Sequence, residues 1–245
     1  MNLIEFMNEV TKWMDDGRCF NIVYFDFSKA FDKVCHERLM VKLCALGIEG
    51  KLYGWIANWL KDRKQRVVVD GVASGWQEVL SSILQGSVLG GILLNICIDD
   101  LDEVVRALLK KFADDTKVAR IVESEEDARE LQQDIDNMCK WADRWKMAFN
   151  IKTCKVMHIC RKSSEFEYFM GGAKLESARE EKDLGVWINR TIKPTTQCES
   201  AAKNGNAALG LIMRVFHYRT KSTLVPLYKT FVRPKLEYAA MAWSP

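Results

Sequence analysis

The stretch Lys110-Lys111-Phe112-Ala113-Asp114-Asp115-Thr116-Lys117-Val118 decides how the rest of this 245-residue chain is read. Two adjacent carboxylates sit between short runs of strand-forming residues: Leu108, Leu109 and Phe112 before them, Val118, Ala119, Ile121 and Val122 after. That pattern predicts a β-hairpin with both acids at its turn. Adjacent carboxylates repel one another, so an exposed pair is stabilised by a nearby cation. Their oxygens suit Mg2+, which keeps several waters and is completed by substrate phosphates. The pair therefore reads either as a metal platform for phosphoryl transfer or as an ordinary solvated turn, since Asp is common in turns. Taken alone it does not separate the two.

Upstream, Cys19-Phe20-Asn21-Ile22-Val23-Tyr24-Phe25-Asp26-Phe27 reads as a buried strand closed by Asp26. A carboxylate at the end of a buried strand is costly unless it is paired or bound to metal. The bland alternative is a helix N-cap, a role Ser28 fills equally well. Together Asp26, Asp114 and Asp115 offer three carboxylates from two strands that can converge on one sheet edge. Such a set suits two-metal phosphoryl transfer, in which one ion activates the attacking hydroxyl and the other stabilises the leaving oxygen. Between these segments, residues 81–91 form a small-residue loop that opens an apolar helix. Gly86 there allows close approach of a ligand to backbone, and a helix N-terminus favours phosphate. Gly-rich loops before helices are also common turns.

The remaining periodicity predicts a mixed α+β architecture. Residues 3–16 have helical spacing, ended by Gly17. Helices follow through Leu39–Leu46 and Leu52–Leu60, the second placing Trp55 and Trp59 on one core-facing stripe. Asp70-Gly71 signals a hairpin. Ser124 to Asp127 resembles a capping box at the head of a long amphipathic helix. Thr153–Ile159 and Asp183–Ile188 read as strands, and Phe166–Met170 with Gly171-Gly172 as part of another hairpin. From Thr195 the pattern is wholly helical, with Pro194 near a domain edge.

Net charge is only +3, which excludes a global basic field, but seven basic residues face a single acid, Glu199, between Thr195 and Lys235. That local excess suits a phosphate backbone or a solvated helical face. The eight cysteines form no CxxC pair and no signal peptide precedes them, so free thiols in an intracellular, reducing compartment are expected. Cys154, His158 and Cys160 share a strand face but lack the fourth ligand of structural zinc. The apolar run from Val88 to Ile98 is too short to span a membrane.

Six segments in order resemble the reverse transcriptase of non-LTR retrotransposons, of the CR1/jockey-like LINE group. They are Phe25 to Val34, Gln85 to Gly90, Phe112 to Asp115, Trp141 to His158, Lys182 to Val186, which resembles the family's primer-grip hairpin, and Leu227 to Tyr238. The resemblance implies a polymerase palm over residues 1–190, an antiparallel sheet with helices packed on one face. A basic helical thumb start then covers 191–245. It implies an RNA-directed DNA polymerase working on an RNA template, a DNA primer and deoxynucleoside triphosphates, with the nucleus as its compartment. Asp26, Asp114 and Asp115 would hold two Mg2+ ions, or Mn2+, assisted by the Phe27 carbonyl. Phe31 would lie under the sugar and exclude a 2′-hydroxyl, and Gln85 and Gly86 would flank the nucleotide. Lys203, Arg214, Lys221, Lys229 and Arg233 would meet nucleic acid.

The chain departs from the family pattern at Leu84 and Gly91, where Pro is usual, and at Ser82, where Gly is usual. It also departs at Cys97, usually aromatic, and at Thr153, usually Lys. Fingers and endonuclease segments are expected upstream of residue 1, so the isolated chain is expected to be a very poor polymerase or none. The alternative reading is an inactive retroelement remnant that at most binds nucleic acid.

Overall fold

The computed structural model describes residues 2–159 and 166–243. Helix α1 (Asn2–Asp15) opens the chain and buries Leu3, Phe6 and Val10 at helical spacing. Strand β1 (Phe20–Asp26) follows, then helices α2 (Ala30–Lys33), α3 (His36–Ala45) and α4 (Gly50–Leu60). α4 turns Ile56 and Leu60 inward. The expected Trp stripe is therefore only half buried: Trp59 packs against the core, whereas Trp55, a hundred degrees round the helix from Ile56, is 55% exposed.

A thin antiparallel ribbon comes next, through β2 (Lys64–Gln65), β3 (Val68–Val69), β4 (Val72–Ala73) and β5 (Gln77–Glu78). Its Asp70-Gly71 tip has positive φ at both residues, 50° and 82°, as an Asp-Gly type I′ turn requires. Helix α5 (Val88–Cys97) is capped by the Ser87 hydroxyl. β6 (Leu108–Phe112) and β7 (Asp115–Ile121) then form the expected antiparallel hairpin.

Helix α6 (Glu125–Trp145) buries Ala128, Leu131, Ile135, Met138, Trp141 and Ala142 on one face. Its capping box is real. The Ser124 hydroxyl accepts from the Asp127 N–H at 3.2 Å, and the Asp127 carboxylate accepts from the Ser124 N–H at 2.9 Å. Hydrogen bonds from the Ser124 hydroxyl, then from the Glu123 N–H, hold the Asp127 carboxyl below its usual range. A depressed carboxylate pKa contributes stability above the ordinary carboxylate range and loses it as pH falls through the lowered value. Ser124→Ala is expected to cost about 1 kcal/mol near neutral pH and less in acid. Urea melts at two pH values check this; an equal loss at both would remove Asp127 from the cap.

Strands β8 (Lys155–Ile159), β9 (Phe169–Met170), β10 (Ala173–Lys174) and β11 (Glu176–Ser177) follow. The main sheet has five strands in the order β11-β8-β1-β7-β6. The single strand expected over Asp183–Ile188 is instead a hairpin of β12 (Glu180–Asp183) and β13 (Val186–Asn189). Leu184 and Gly185 have φ of 46° and 85°, so the chain reverses there. The rest is helical: α7 (Thr195–Val215), α8 (Lys221–Leu227), a π-helical turn at Tyr228–Val232, α9 (Arg233–Glu237) and α10 (Ala240–Trp243).

The chain forms two compact units. One comprises Asn21–Val156 and the segment ending at Glu176; the other comprises the residues up to Phe20, the segment beginning at Met157, and everything from Ser177 onward. In the first, Val23, Leu39, Leu43, Leu93, Leu94, Leu131, Ile135 and Met138 make a continuous apolar core. One of its buried cations, Lys42, is matched by Asp100 at 2.5 Å and lies 3.8 Å from the Trp145 ring centre. A buried charge is tolerated only with such partners. In the second, α7 approaches α9 where Gly205 leaves room; a Cβ there would meet Leu236 Cδ2 at 2.6 Å. The Tyr238 hydroxyl donates to the Leu184 carbonyl at 2.9 Å and braces the β12–β13 turn.

Among the described residues, six cysteines are free. Cys19 is disulfide-bonded, which corrects the expectation of free thiols throughout. The zinc reading of Cys154, His158 and Cys160 lies partly outside the described residues, because Cys160 is not among them. Among the described residues, no helix is long and apolar enough to cross a membrane.

Candidate active site

Asp26 is the last residue of β1 and is half-buried between two interior phenylalanines. Phe27 stacks on Phe149 with ring centres 4.5 Å apart, and Phe25 lies 5.3 Å from the same ring. Successive strand side chains point to opposite faces, so anchoring Phe25 and Phe27 fixes the opposite direction for Asp26. Its carbonyl accepts from the Asn150 N–H at 2.8 Å. One carboxylate oxygen accepts from the Thr153 hydroxyl at 2.6 Å. Beside it, burial pushes the Cys154 thiol up to about 11, so this neighbour carries no charge near neutral pH. The hydroxyl of Thr153 on Asp26 has no signature in the sequence beyond its departure from the usual Lys.

The second carboxylate element is the β6–β7 hairpin. Phe112 pairs with Asp115 across a two-residue turn of Ala113 and Asp114. Only Asp114 therefore stands in the turn, with Asp115 as the first residue of β7; the expectation placed both at the turn. Asp114 is half-buried and Asp115 exposed. Ala113 has φ 51°, and Asp114 is not among the positive-φ residues, which is the φ pattern of a type II′ turn. A non-glycine residue in that region costs about 1 kcal/mol or more. Ala113→Gly should thus raise stability by about 1 kcal/mol; an unchanged denaturation midpoint would show no strain there. The hairpin is anchored from behind by Lys111, whose Nζ donates to the Ile98 and Asp99 carbonyls at 3.1 and 2.8 Å and pairs with Asp102 at 2.8 Å.

The third element is the loop before α5. Gln85 and Gly86 are exposed, and Gly86 has φ 84° with nothing within 4 Å of an added Cβ. Glycine is required there by conformation, not by crowding. Phe31 is half-buried and packs against the core. Its carbonyl accepts from the Ile83 N–H at 2.9 Å, which ties the Phe31 segment to the Gln85 loop.

β1 and β7 are neighbours in the sheet, so the two carboxylate-bearing elements lie side by side. Among the described residues, however, no group of three or more His, Cys, Asp or Glu side chains is gathered to hold a metal ion. Like charges near one edge repel without a cation between them, and one Asp26 oxygen is engaged by Thr153. The donor chemistry nonetheless fits a hard divalent ion: carboxylate oxygens only, at positions open enough for waters and phosphates.

The predicted nucleic-acid residues Lys203, Arg214, Lys221, Lys229 and Arg233 all belong to the other unit and are exposed. Arg233 already has an anionic partner, its Nε donating to both Glu237 oxygens at 2.8 and 2.9 Å.

Residues 5–188 match the family model described as reverse transcriptase (RNA-dependent DNA polymerase). The chain is 27% identical to the RNA-directed DNA polymerase from mobile element jockey of Drosophila funebris, over 93% of this chain and 26% of that protein. It is 28% identical to the probable RNA-directed DNA polymerase from transposon BS of Drosophila melanogaster, over 77% of this chain and 22% of that protein. Each match thus spans about a quarter of the relative's length. Among solved structures, apo telomerase from Candida tropicalis matches with a TM-score of 0.60 at 13% identity, covering 94% of this chain and 39% of that one. That likeness is one of fold.

Proposed function

Since the chain belongs to the reverse transcriptase (RNA-dependent DNA polymerase) family, we propose that it is the palm and thumb start of an RNA-directed DNA polymerase of a non-LTR retroelement. The palm is assigned to residues 1–190 and the thumb start to 191–245. The observation that carries the reading is the side-by-side placement of β1, ending in Asp26, and β7, beginning at Asp115, in a family-matched fold. Asp26, Asp114 and Asp115, with the Phe27 carbonyl, would hold two Mg2+ ions, or Mn2+. When bound, such ions lower the pKa of a primer hydroxyl and stabilise the leaving phosphate oxygens. The protein's own part is positioning. Phe31 sits beneath the incoming sugar and excludes a 2′-hydroxyl. Gln85 and Gly86 border the nucleotide. Lys203, Arg214, Lys221, Lys229 and Arg233 take the phosphates of template and primer, with an affinity that falls as salt rises.

The test is a chimaera in which residues 1–245 replace the matched segment of the jockey-element polymerase, assayed for primer extension on RNA. Magnesium-dependent synthesis by the chimaera supports the reading. Within it, Phe31→Val should admit ribonucleotides, lowering sugar discrimination by about 10–100-fold; unchanged discrimination would refute that role. A second reading, an inactive remnant that at most binds nucleic acid, has one observation in its favour: the three carboxylates are not drawn into a ready cluster. A folded chimaera that binds primed RNA without extending it would favour this second reading.

A further inference from the structure

We propose that His36 and Arg63 are positioning residues for the nucleotide pocket. Together they hold the Ser82 carbonyl and thereby fix the loop that presents Gln85 and Gly86 beside Phe31. The proposal rests on the polymerase reading above. His36 Nε2 lies 2.7 Å from the Ser82 carbonyl oxygen, and Arg63 Nη1 donates to the same oxygen at 3.2 Å. A carbonyl accepts only, so the His36 ring must carry its hydrogen on Nε2.

Two donors converge here because the backbone is in an uncommon state. Ser82 has φ 110°, far outside the regions L-residues ordinarily occupy. Such a conformation persists only when its surroundings over-determine it. The ties are explicit. The Ser82 N–H donates to the Val34 carbonyl at 3.0 Å and the Ile83 N–H to the Phe31 carbonyl at 2.9 Å. The Ser81 hydroxyl donates to the Asp32 carbonyl at 2.9 Å. Ile83 is 1% exposed, while Leu84 is 51% exposed. The chain thus passes from a pinned, buried point straight into an open loop.

Each clamping donor is itself held. His36 is the first residue of α3. Arg63 lies just beyond α4, its guanidinium 5.3 Å from the Trp59 ring centre. Residues Phe31–Val34 and Ser81–Ile83 are joined as a short ladder, and the two donors lock its far side. Phe31 and Gln85 therefore keep a fixed relation, which a sugar-discriminating pocket needs. The departure from the usual Gly at Ser82 makes the clamp more necessary, because glycine adopts such φ values without strain.

The experiment uses the full chain with His36→Ala, His36→Gln, Arg63→Ala and the double alanine variant. Hydrogen exchange is followed by mass spectrometry, and binding of a fluorescent dTTP is followed in Mn2+. The double alanine variant should exchange about tenfold faster at Ser82 and Ile83 and bind the nucleotide about tenfold more weakly. His36→Ala alone should show part of both effects, and His36→Gln, whose amide can replace the lost donor, should behave as the wild-type chain in both. Unchanged exchange at Ser82 and Ile83 overturns the clamp. A rise spread evenly over β1 and α6 also overturns it, because the pair would then serve the whole fold. A loosened loop with unchanged affinity overturns the positioning role. If the wild-type chain binds no nucleotide, the pocket role fails in this chain, the exchange measurement still decides the clamp, and the polymerase reading is decided separately by primer extension with the chimaera.

Discussion

Asp114→Asn with Asp115→Asn removes templated DNA synthesis from an active protein built on this chain, by about a thousandfold or more. The magnitude follows from the chemistry proposed. Metal charge at the reacting oxygens is worth several kcal/mol, and each ~1.4 kcal/mol is tenfold in rate. Asn keeps the shape and offers one neutral oxygen, so charge is the quantity removed. Hard divalent ions are selected by ligand charge and number; calorimetry should therefore show Mn2+ affinity falling in the isolated chain as well. Folding should survive, because Asp114 is half-buried and Asp115 exposed, and the β6–β7 pairing is made by backbone. Native melting with unchanged Mn2+ binding would remove this hairpin from the metal site, and retained synthesis would end the two-metal assignment altogether.

What was legible in the sequence is local. The β6–β7 hairpin shows because its turn is two residues long and its flanks are strand-forming. The Ser124 cap shows because both partners lie within three residues. The α+β class shows because the period changes from mixed to helical near Pro194. The reversal at Leu184-Gly185 was hidden from the periodicity, because Val186 to Ile188 continue the apolar run, and was legible only through the family resemblance of Lys182 to Val186. Trp55 misled because helical spacing gives a stripe but not which side of it meets the core. The hydrogen bonds on Ser82 were invisible because they join distant segments; His36 and Ser82 are 46 positions apart. The interleaved compact units were equally hidden, since each takes chain from both sides of the other. Of the candidate site, the adjacency of the two carboxylate-bearing strands was legible, and the hydrogen bond of Thr153 on Asp26 was not.

Gly90→Ala should lower stability by about 1–3 kcal/mol and displace Gln85, although helix propensity alone predicts a gain of about 1 kcal/mol. The opposite signs make the experiment decisive. An added Cβ at Gly90 would lie 2.3 Å from the Leu84 carbonyl oxygen and 2.8 Å from Ser87 Oγ, far inside contact distance. Both atoms belong to one device. The Ser87 hydroxyl donates to the Leu84 carbonyl at 2.7 Å and accepts the Gly90 N–H at 2.9 Å, capping α5 and closing the loop in the same stroke. The helix cannot retreat, because Leu93 and Leu94 are fully buried and close-packed interiors resist displacement. The Leu84 peptide, exposed to solvent, must move, and Gln85 moves with it. Gly91 is the internal control: it is the next residue of α5, and nothing lies within 4 Å of its added Cβ. Gly91→Ala should therefore be neutral or stabilising by ~0.5–1 kcal/mol. Urea denaturation of both variants reads the two signs directly. If Gly90→Ala is as stable as Gly91→Ala, then Gly90 does not seat the Leu84 carbonyl, and the loop that presents Gln85 is held by the His36 and Arg63 side of the ladder alone.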